Sequence, residues 1–186
     1  MMKKKNSVFI ATSLDGYIAD KNGGIDWLNL ISNPDSEDMG YEKFMLGIDA
    51  LVMGRKTFET VMGFDIPWPY KKPVFVLSNK MKEIPGAYKD KAFLVRGTST
   101  EVLEHIHEKG YHSLYIDGGS TINNFLKEDL IDEMTITRMP ILLGSGAPLF
   151  SDLPKPLRFD LVGSKTFLNQ ITQNHYRRMR EKAPVG

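Results

Sequence analysis

Short, uninterrupted apolar runs recur along this chain, separated by stretches of helical periodicity, and that alternation restricts the fold more than any other feature. Residues 8–11, 50–53, 74–77, 92–95 and 114–116 are such runs, each too short for a core helix. A strand apolar on both sides suits a parallel sheet covered on both faces. Residues 37–47, 56–62, 99–109 and 121–127 carry apolar side chains at spacings of three and four, as a helix with one buried face does. Strand and helix in turn predict an α/β domain with right-handed crossovers.

The final third changes character. Residues 130–138, 158–167 and 170–179 read as longer strands, the last two joined by a turn near Asn169. A mostly parallel sheet finished by an antiparallel hairpin follows. No internal repeat, low-complexity tract or linker interrupts residues 1–186, so one domain is expected. The three prolines of residues 64–73, FDIPWPYKKP, mark a loop within it.

Composition narrows the chemistry. With 24 basic and 23 acidic residues the net charge is +1, which gives no electrostatic case for nucleic acid or an anionic membrane. There is no cysteine, which excludes disulfides, thiolate metal sites and cysteine nucleophiles. The histidines, His105, His107, His112 and His175, lack zinc spacing, so no metal is expected. Near the N-terminus the lysines precede an apolar stretch, but Thr12, Ser13 and Asp15-Gly16 break it, and no segment is long enough to span a bilayer. Cytoplasmic residence is the expectation.

Chemistry gathers where strands run into helices. In LYIDGGSTINNFL, a strand ends at Asp117 and feeds through Gly118 and Gly119 into a helix opened by Ser120 and Thr121. Backbone N–H groups and the helix dipole there suit a pyrophosphate, and a Cβ at either glycine would hold a phosphate away. A tight turn capped by Ser120 or Thr121 explains the same letters without a ligand. Asp117 is out of place beside a phosphate. A second junction runs through Gly54 into Arg55, Lys56 and Thr57, where cations in a first helical turn oppose the dipole and call for an anion. Ser78 and Asn79 follow a third strand, and Arg96 ends a fourth. Anion-binding groups along one edge of a parallel sheet fit an extended phosphorylated ligand such as a dinucleotide.

Taken in order, IATSLDGYIADKNGGIDWL, DALVMGRKTFE, LYIDGGSTINNFL and PILLGSGAPLF resemble the dihydrofolate-reductase superfamily. More closely they resemble the C-terminal reductase domain of the riboflavin-biosynthesis deaminase/reductase, over nearly the whole chain. The resemblance implies a three-layer α/β/α fold with NADPH across the strand ends. Ala11 and Ile18 would approach the nicotinamide. Gly54, Arg55, Lys56 and Thr57 would hold the pyrophosphate and adenosine phosphate, with Ser78, Asn79 and Arg96 nearby, and Gly118, Gly119, Ser120 and Thr121 would close over the pyrophosphate. It also implies a cis peptide beside Gly118, a bond that costs ~3 kcal/mol.

For the substrate end, the expected helix over residues 37–47 carries Asp38, Tyr41, Glu42 and Met45 on one face. Dihydrofolate reductases place a carboxylate here against a pterin, which makes Asp38 the candidate proton-handling residue and Tyr41, Glu42 and Trp27 candidate substrate contacts. An acid in a first helical turn also simply complements the dipole, and Trp27 also reads as an ordinary buried aromatic. The riboflavin branch implies hydride transfer to a ribosylamino-pyrimidine phosphate as its open-chain imine. Dihydrofolate reduction is the alternative, followed by NADPH binding without catalysis and by a plain structural homodimer. The fused deaminase motifs are absent from this sequence, and dimers are common in the riboflavin branch.

Overall fold

Parallel pairing decides the architecture, because each strand needs a crossover that returns it to the same edge. The computed structural model describes residues 4–180. In chain order its elements are β1 (Lys5–Thr12), β2 (Tyr17–Asp20), α1 (Tyr41–Leu46), β3 (Ala50–Gly54), α2 (Arg55–Met62), β4 (Val74–Leu77), β5 (Ala92–Val95), α3 (Ser99–Glu108), β6 (Ser113–Asp117), α4 (Gly119–Lys127), β7 (Glu133–Arg138), β8 (Gly146–Pro148), β9 (Phe159–Phe167) and β10 (Ile171–Arg178). The eight-stranded sheet has the order β5-β4-β3-β6-β1-β7-β10-β9. Its first six strands run parallel, and β10 and β9 add antiparallel. The α/β expectation with a terminal hairpin therefore holds.

Burial divides the domain into three layers. On one face Leu51, Met53, Val74, Val76 and Tyr115 pack under α1 and α2, with Phe58 fully buried between helix and sheet. On the other face Val8, Val52, Phe75, Leu114 and Ile116 meet Val102 and Ile106 of α3 and Ile122 and Phe125 of α4. α3 is the only one of these helices with a full capping box: Thr98 accepts from the Glu101 N–H, and the Glu101 side chain accepts from the Thr98 N–H.

Chain order and spatial order part company at β6. After β3 the chain moves outward through β4 to β5, then returns to lay β6 between β3 and β1. Consequently the helix after β3 leaves towards one face and the helix after β6 towards the other. Such a reversal opens a crevice at the C-terminal edge of a parallel sheet.

One expectation needs correcting, and one element was not foreseen. The helix expected over residues 37–47 begins only at Tyr41, because Met39 and Gly40 adopt φ of 53° and 85°, which no right-handed helix can contain. Asn33 braces the preceding turn, its side chain bonding both the N–H and the C=O of Glu37 at 2.8 and 2.9 Å. The two-stranded ladder of β2 and β8 had no signal in the sequence: β2 is half-buried at every position, and β8 is Gly-Ala-Pro. Among the described residues no helix is long and apolar enough to cross a membrane.

Asp49 fixes the opposite edge of the sheet. Its carboxylate accepts from the backbone N–H groups of His112 and Ser113, both at 2.8 Å, which anchors the start of β6 beside β3. Burial alone would raise this carboxyl, but those two N–H groups and nearby Lys72 outweigh it and hold the carboxyl below its usual range. A depressed folded value stabilises above the unfolded value and is lost as pH falls through the folded one. Asp49→Ala should cost roughly 1–3 kcal/mol at neutral pH by urea denaturation. The deficit should shrink below about pH 4; a deficit independent of pH would refute this account.

Candidate active site

The expected residues divide into three groups, set by the strand that delivers them. The first lies at the crevice between β3 and β6. A Cβ on Gly118 would collide with the Thr57 side chain, and one on Gly54 would sit 2.9 Å from Thr121 Oγ1. A Cβ on Gly119 would sit 2.8 Å from Ile18 Cδ1 and 3.5 Å from the Pro148 carbonyl. Gly54, Thr57, Ile18, Gly118, Gly119 and Thr121 are thus one contiguous structure, in which each glycine makes room for a side chain of a neighbouring helix or strand. Gly118 also has φ 86° and ψ 133°, a backbone state that side-chain-bearing residues avoid. No cis peptide occurs among the described residues, so the implied cis bond is corrected: glycine's own freedom makes the turn.

Both helices that open here lack a side-chain cap. α2 starts from Gly54 and α4 from Gly118, and neither has a side-chain acceptor for its first-turn N–H groups. Those N–H groups are the usual orphans of a helix start, and an anion satisfies them. The cations of the junction are less free than their charge suggests. Arg55 is engaged by Glu59 one turn on, at 2.8 and 2.9 Å, so the helix supplies its own anion. Lys56 and Ser120 are exposed, while Thr121 is buried.

The second group closes the ends of β4 and β5. Ser78 is buried, and its hydroxyl accepts from the N–H groups of Lys80 and Met81 at 3.2 and 3.0 Å. Asn79 Oδ1 accepts from the Gly97 N–H at 3.3 Å, and the exposed Arg96 donates to the Met81 carbonyl at 2.6 Å. These contacts shape a polar rim beside the crevice.

The third group holds the residues expected at the substrate end, and here the structure reverses the weights. Asp38 lies outside α1, on the exposed turn before it. Its carboxylate accepts from the Gly40 N–H at 2.8 Å and the Glu42 N–H at 2.7 Å, which hold it below its usual range. Glu42 is exposed, while Tyr41 and Met45 pack on the sheet, so the expected common face does not exist. Trp27 is buried with Met139 and Ile171 in a separate apolar cluster. Asp117, at the tip of β6, is partly buried, and burial pushes its carboxyl up to about 6, against the opposing pull of the Gly118 N–H. The Gly118 N–H donates to Oδ1 at 2.8 Å, and the Tyr115 hydroxyl donates to the Phe9 carbonyl at 2.8 Å. Burial, and then the charge of Asp117, push Tyr41 up to about 12, and Tyr70 is raised for the same reasons. The position of Asp117, the last residue of a central strand beside two glycines, was the available signal.

Asp15 ties two loops together over this edge. It accepts from Ser13 Oγ at 2.6 Å and from the backbone N–H groups of Leu143 and Gly144 at 3.1 and 2.7 Å. Backbone bonds from Leu14 to Ile141 and from Leu149 to Gly16, at 2.8 and 2.9 Å, complete the link.

A parallel sheet reversed at β6, two helix starts without side-chain caps in the crevice and a half-buried acid beside them make up the candidate site. The chain belongs to the RibD C-terminal domain family, whose family model matches residues 5–173. It is 37% identical to the protein YwjB of Bacillus subtilis (strain 168), covering 94% of this chain and 98% of that one. A structure from Shewanella sp. PV-4, named for riboflavin biosynthesis, superposes with TM-score 0.93 at 56% identity, covering 95% of this chain and 99% of that one. A Thermotoga maritima deaminase/reductase shares the fold at 17% identity and TM-score 0.73, covering 95% of this chain and 57% of that one. Dihydrofolate reductase from Enterococcus faecalis shares it at 17% identity and TM-score 0.65, covering 94% and 96%.

Gly118→Ala should destabilise the domain by about 1–3 kcal/mol, because it adds a forbidden backbone state to the clash with Thr57. Gly144→Ala, at φ 74° in open space, should cost less. Adding Thr57→Ala to Gly118→Ala should restore part of the loss in a urea melt; equal costs for the two glycines, or no rescue, would refute the close-approach account.

Proposed function

We propose that this protein is an NADPH-dependent reductase that transfers hydride to an imine-type heterocyclic substrate, most like the 5-amino-6-(5-phosphoribosylamino)uracil reductase of riboflavin biosynthesis. The observation that carries the reading is the pair of uncapped helix starts, α2 and α4, meeting in the crevice beside Asp117. The residues fit a dinucleotide on their own chemistry. First-turn N–H groups of Arg55–Thr57 and Gly119–Thr121 would hold a pyrophosphate, and Lys56, Ser78, Asn79 and Arg96 lie along the rim where the adenosine end would extend. Ala11 and Ile18, half-buried near the same edge, would flank the nicotinamide. The reduced nicotinamide supplies the hydride.

Reduction of a C=N bond also needs a proton on nitrogen, and Asp117 is the group suited to deliver it. A carboxyl near 6 is protonated for part of the time at neutral pH and still acidic enough to give the proton up. Asp38 is poorly suited, since both its oxygens are bonded to backbone N–H groups that favour its ionised form. That placement also weakens the dihydrofolate alternative, which needs the carboxylate on the helix face. The protein in this reading is cytoplasmic and homodimeric. The edge strand β9, with Leu161 and Val162 60% and 47% exposed, supports a partner on that side.

The test is NADPH oxidation with the aminopyrimidine ribosyl phosphate and dihydrofolate side by side. Asp117→Asn should lower turnover on the accepted substrate by ~10²-fold or more, whereas Asp38→Asn should leave it nearly unchanged. For the wild type, kcat/KM should be level below about pH 6 and fall about tenfold per unit above it, because the protonated acid is the active form. A flat profile, or the reverse ranking of the two variants, would remove Asp117 from the reaction.

A further inference from the structure

The sheet ends in β9 on one side and in β5 on the other, and β5 has β4 as its only strand neighbour. The carbonyls of Lys91 and Val95 accept from the N–H groups of Val74 and Ser78, at 3.0 and 3.1 Å. In a parallel ladder alternate residues point the same way, so residues 91, 93 and 95 bond inwards, and Ala92 and Leu94 turn their N–H and C=O groups away from the sheet. A cavity of about 520 Å³ runs along this outer side, and all four residues of β5 line it in succession. Side chains alternate between the faces of a strand, so only a trough along the edge itself touches all four. Its two walls come from different elements. Lys82 and Lys89 belong to the β4–β5 connection, which packs through Ile84 on the face covered by α2, and His105 and Lys109 belong to α3 on the other face. Lys89 is paired with Glu83 at 2.9 Å, whereas no ion pair among the described residues involves Lys82 or Lys109. Between the walls Phe93 stands 44% exposed, its ring 5.7 Å from that of the buried Phe75. A short strand flanked by lysines is a common guard against pairing with another copy. A guard alone does not account for the phenylalanine, whose apolar surface gains from being covered.

We propose that the β5 edge is a docking site for an extended, acidic peptide segment of another protein, which adds to the sheet as a further strand. The outward N–H and C=O groups of Ala92 and Leu94 pair with the backbone of the segment, and its alternating side chains fall towards the two walls. Acidic side chains there meet Lys82 or Lys109, and an apolar one covers Phe93. The same charges decide against a second β5 as the occupant, because two copies side by side would set lysines against lysines. Two outward residues supply few main-chain bonds, so charge carries much of the affinity, which falls as salt rises. The trough shares no residue with the crevice between β3 and β6, so docking here does not depend on the chemistry of that crevice.

Calorimetric titration of the full chain tests it with a capped peptide of about ten residues that alternates Glu with Val and Thr. Two controls accompany it: the same peptide with Lys in place of Glu, and an equally acidic peptide interrupted by prolines, which cannot pair as a strand. The alternating acidic peptide should bind saturably and the controls should not, and amide exchange at Ala92 and Leu94 should slow in its presence. Lys82→Glu combined with Lys109→Glu, both on exposed side chains, should weaken binding about tenfold or more. Leu94→Pro removes an outward donor and no bond to β4, and should weaken binding to a similar extent with every charge in place. If that variant unfolds, the exchange of the Ala92 and Leu94 amides in the wild type decides alone. Proline-interrupted peptide binding as tightly as the alternating one, unchanged exchange at those amides, or undiminished affinity in the lysine variant overturns the proposal. Equal binding of the Lys peptide, or no binding by the acidic one, does the same.

Discussion

The close approach of two strand–helix junctions governs this structure. β6 enters between β3 and β1, so α2 and α4 start side by side and then leave towards opposite faces. Their starts come that near only because Gly54 and Gly118 bring no side chain to the places where Thr121 and Thr57 lie. The same geometry leaves both helices without side-chain caps, whereas α3, which opens away from the crevice, carries a complete one. Close packing and the missing side-chain caps are therefore two results of one constraint. The glycine pair that looks like either a turn or a phosphate cradle is a packing device, and a helix start without a side-chain cap is its by-product.

The parallel strands and the helices on both faces were legible in the sequence because burial on both sides writes itself as continuous apolar runs. β4 and β5 match their runs residue for residue. α1 was misjudged for a local reason: the spacing of three and four from Tyr41 and Glu42 runs back to Asp38, but Met39 and Gly40 stop the helix with positive φ, which side-chain periodicity does not register. β2 and β8 have too few residues and too little alternation to signal a ladder that depends on the folded loops around them.

The site was legible as a rim and not as a chemistry. Which strand ends carry cationic and hydroxyl side chains can be read from letters; which of those groups are already committed cannot. Arg55 is engaged by Glu59 and Arg96 by loop carbonyls, contacts that depend on three-dimensional placement. Asp117 and Asp38 are both aspartates near a helix start, and only burial against tyrosines in one case, and solvent with two backbone donors in the other, gives them opposite proton affinities.

The Asp15 clamp has a consequence for how such a protein can diverge. One carboxylate joins the segment that leads into Ile18 to the segment at Leu143 and Gly144, and Ile18 in turn rests on Gly119. An insertion or deletion in either loop would drag the other out of register with the crevice. The two segments are therefore constrained to vary together, whereas the α2–β4 connection, which Asp15 does not touch, escapes that constraint.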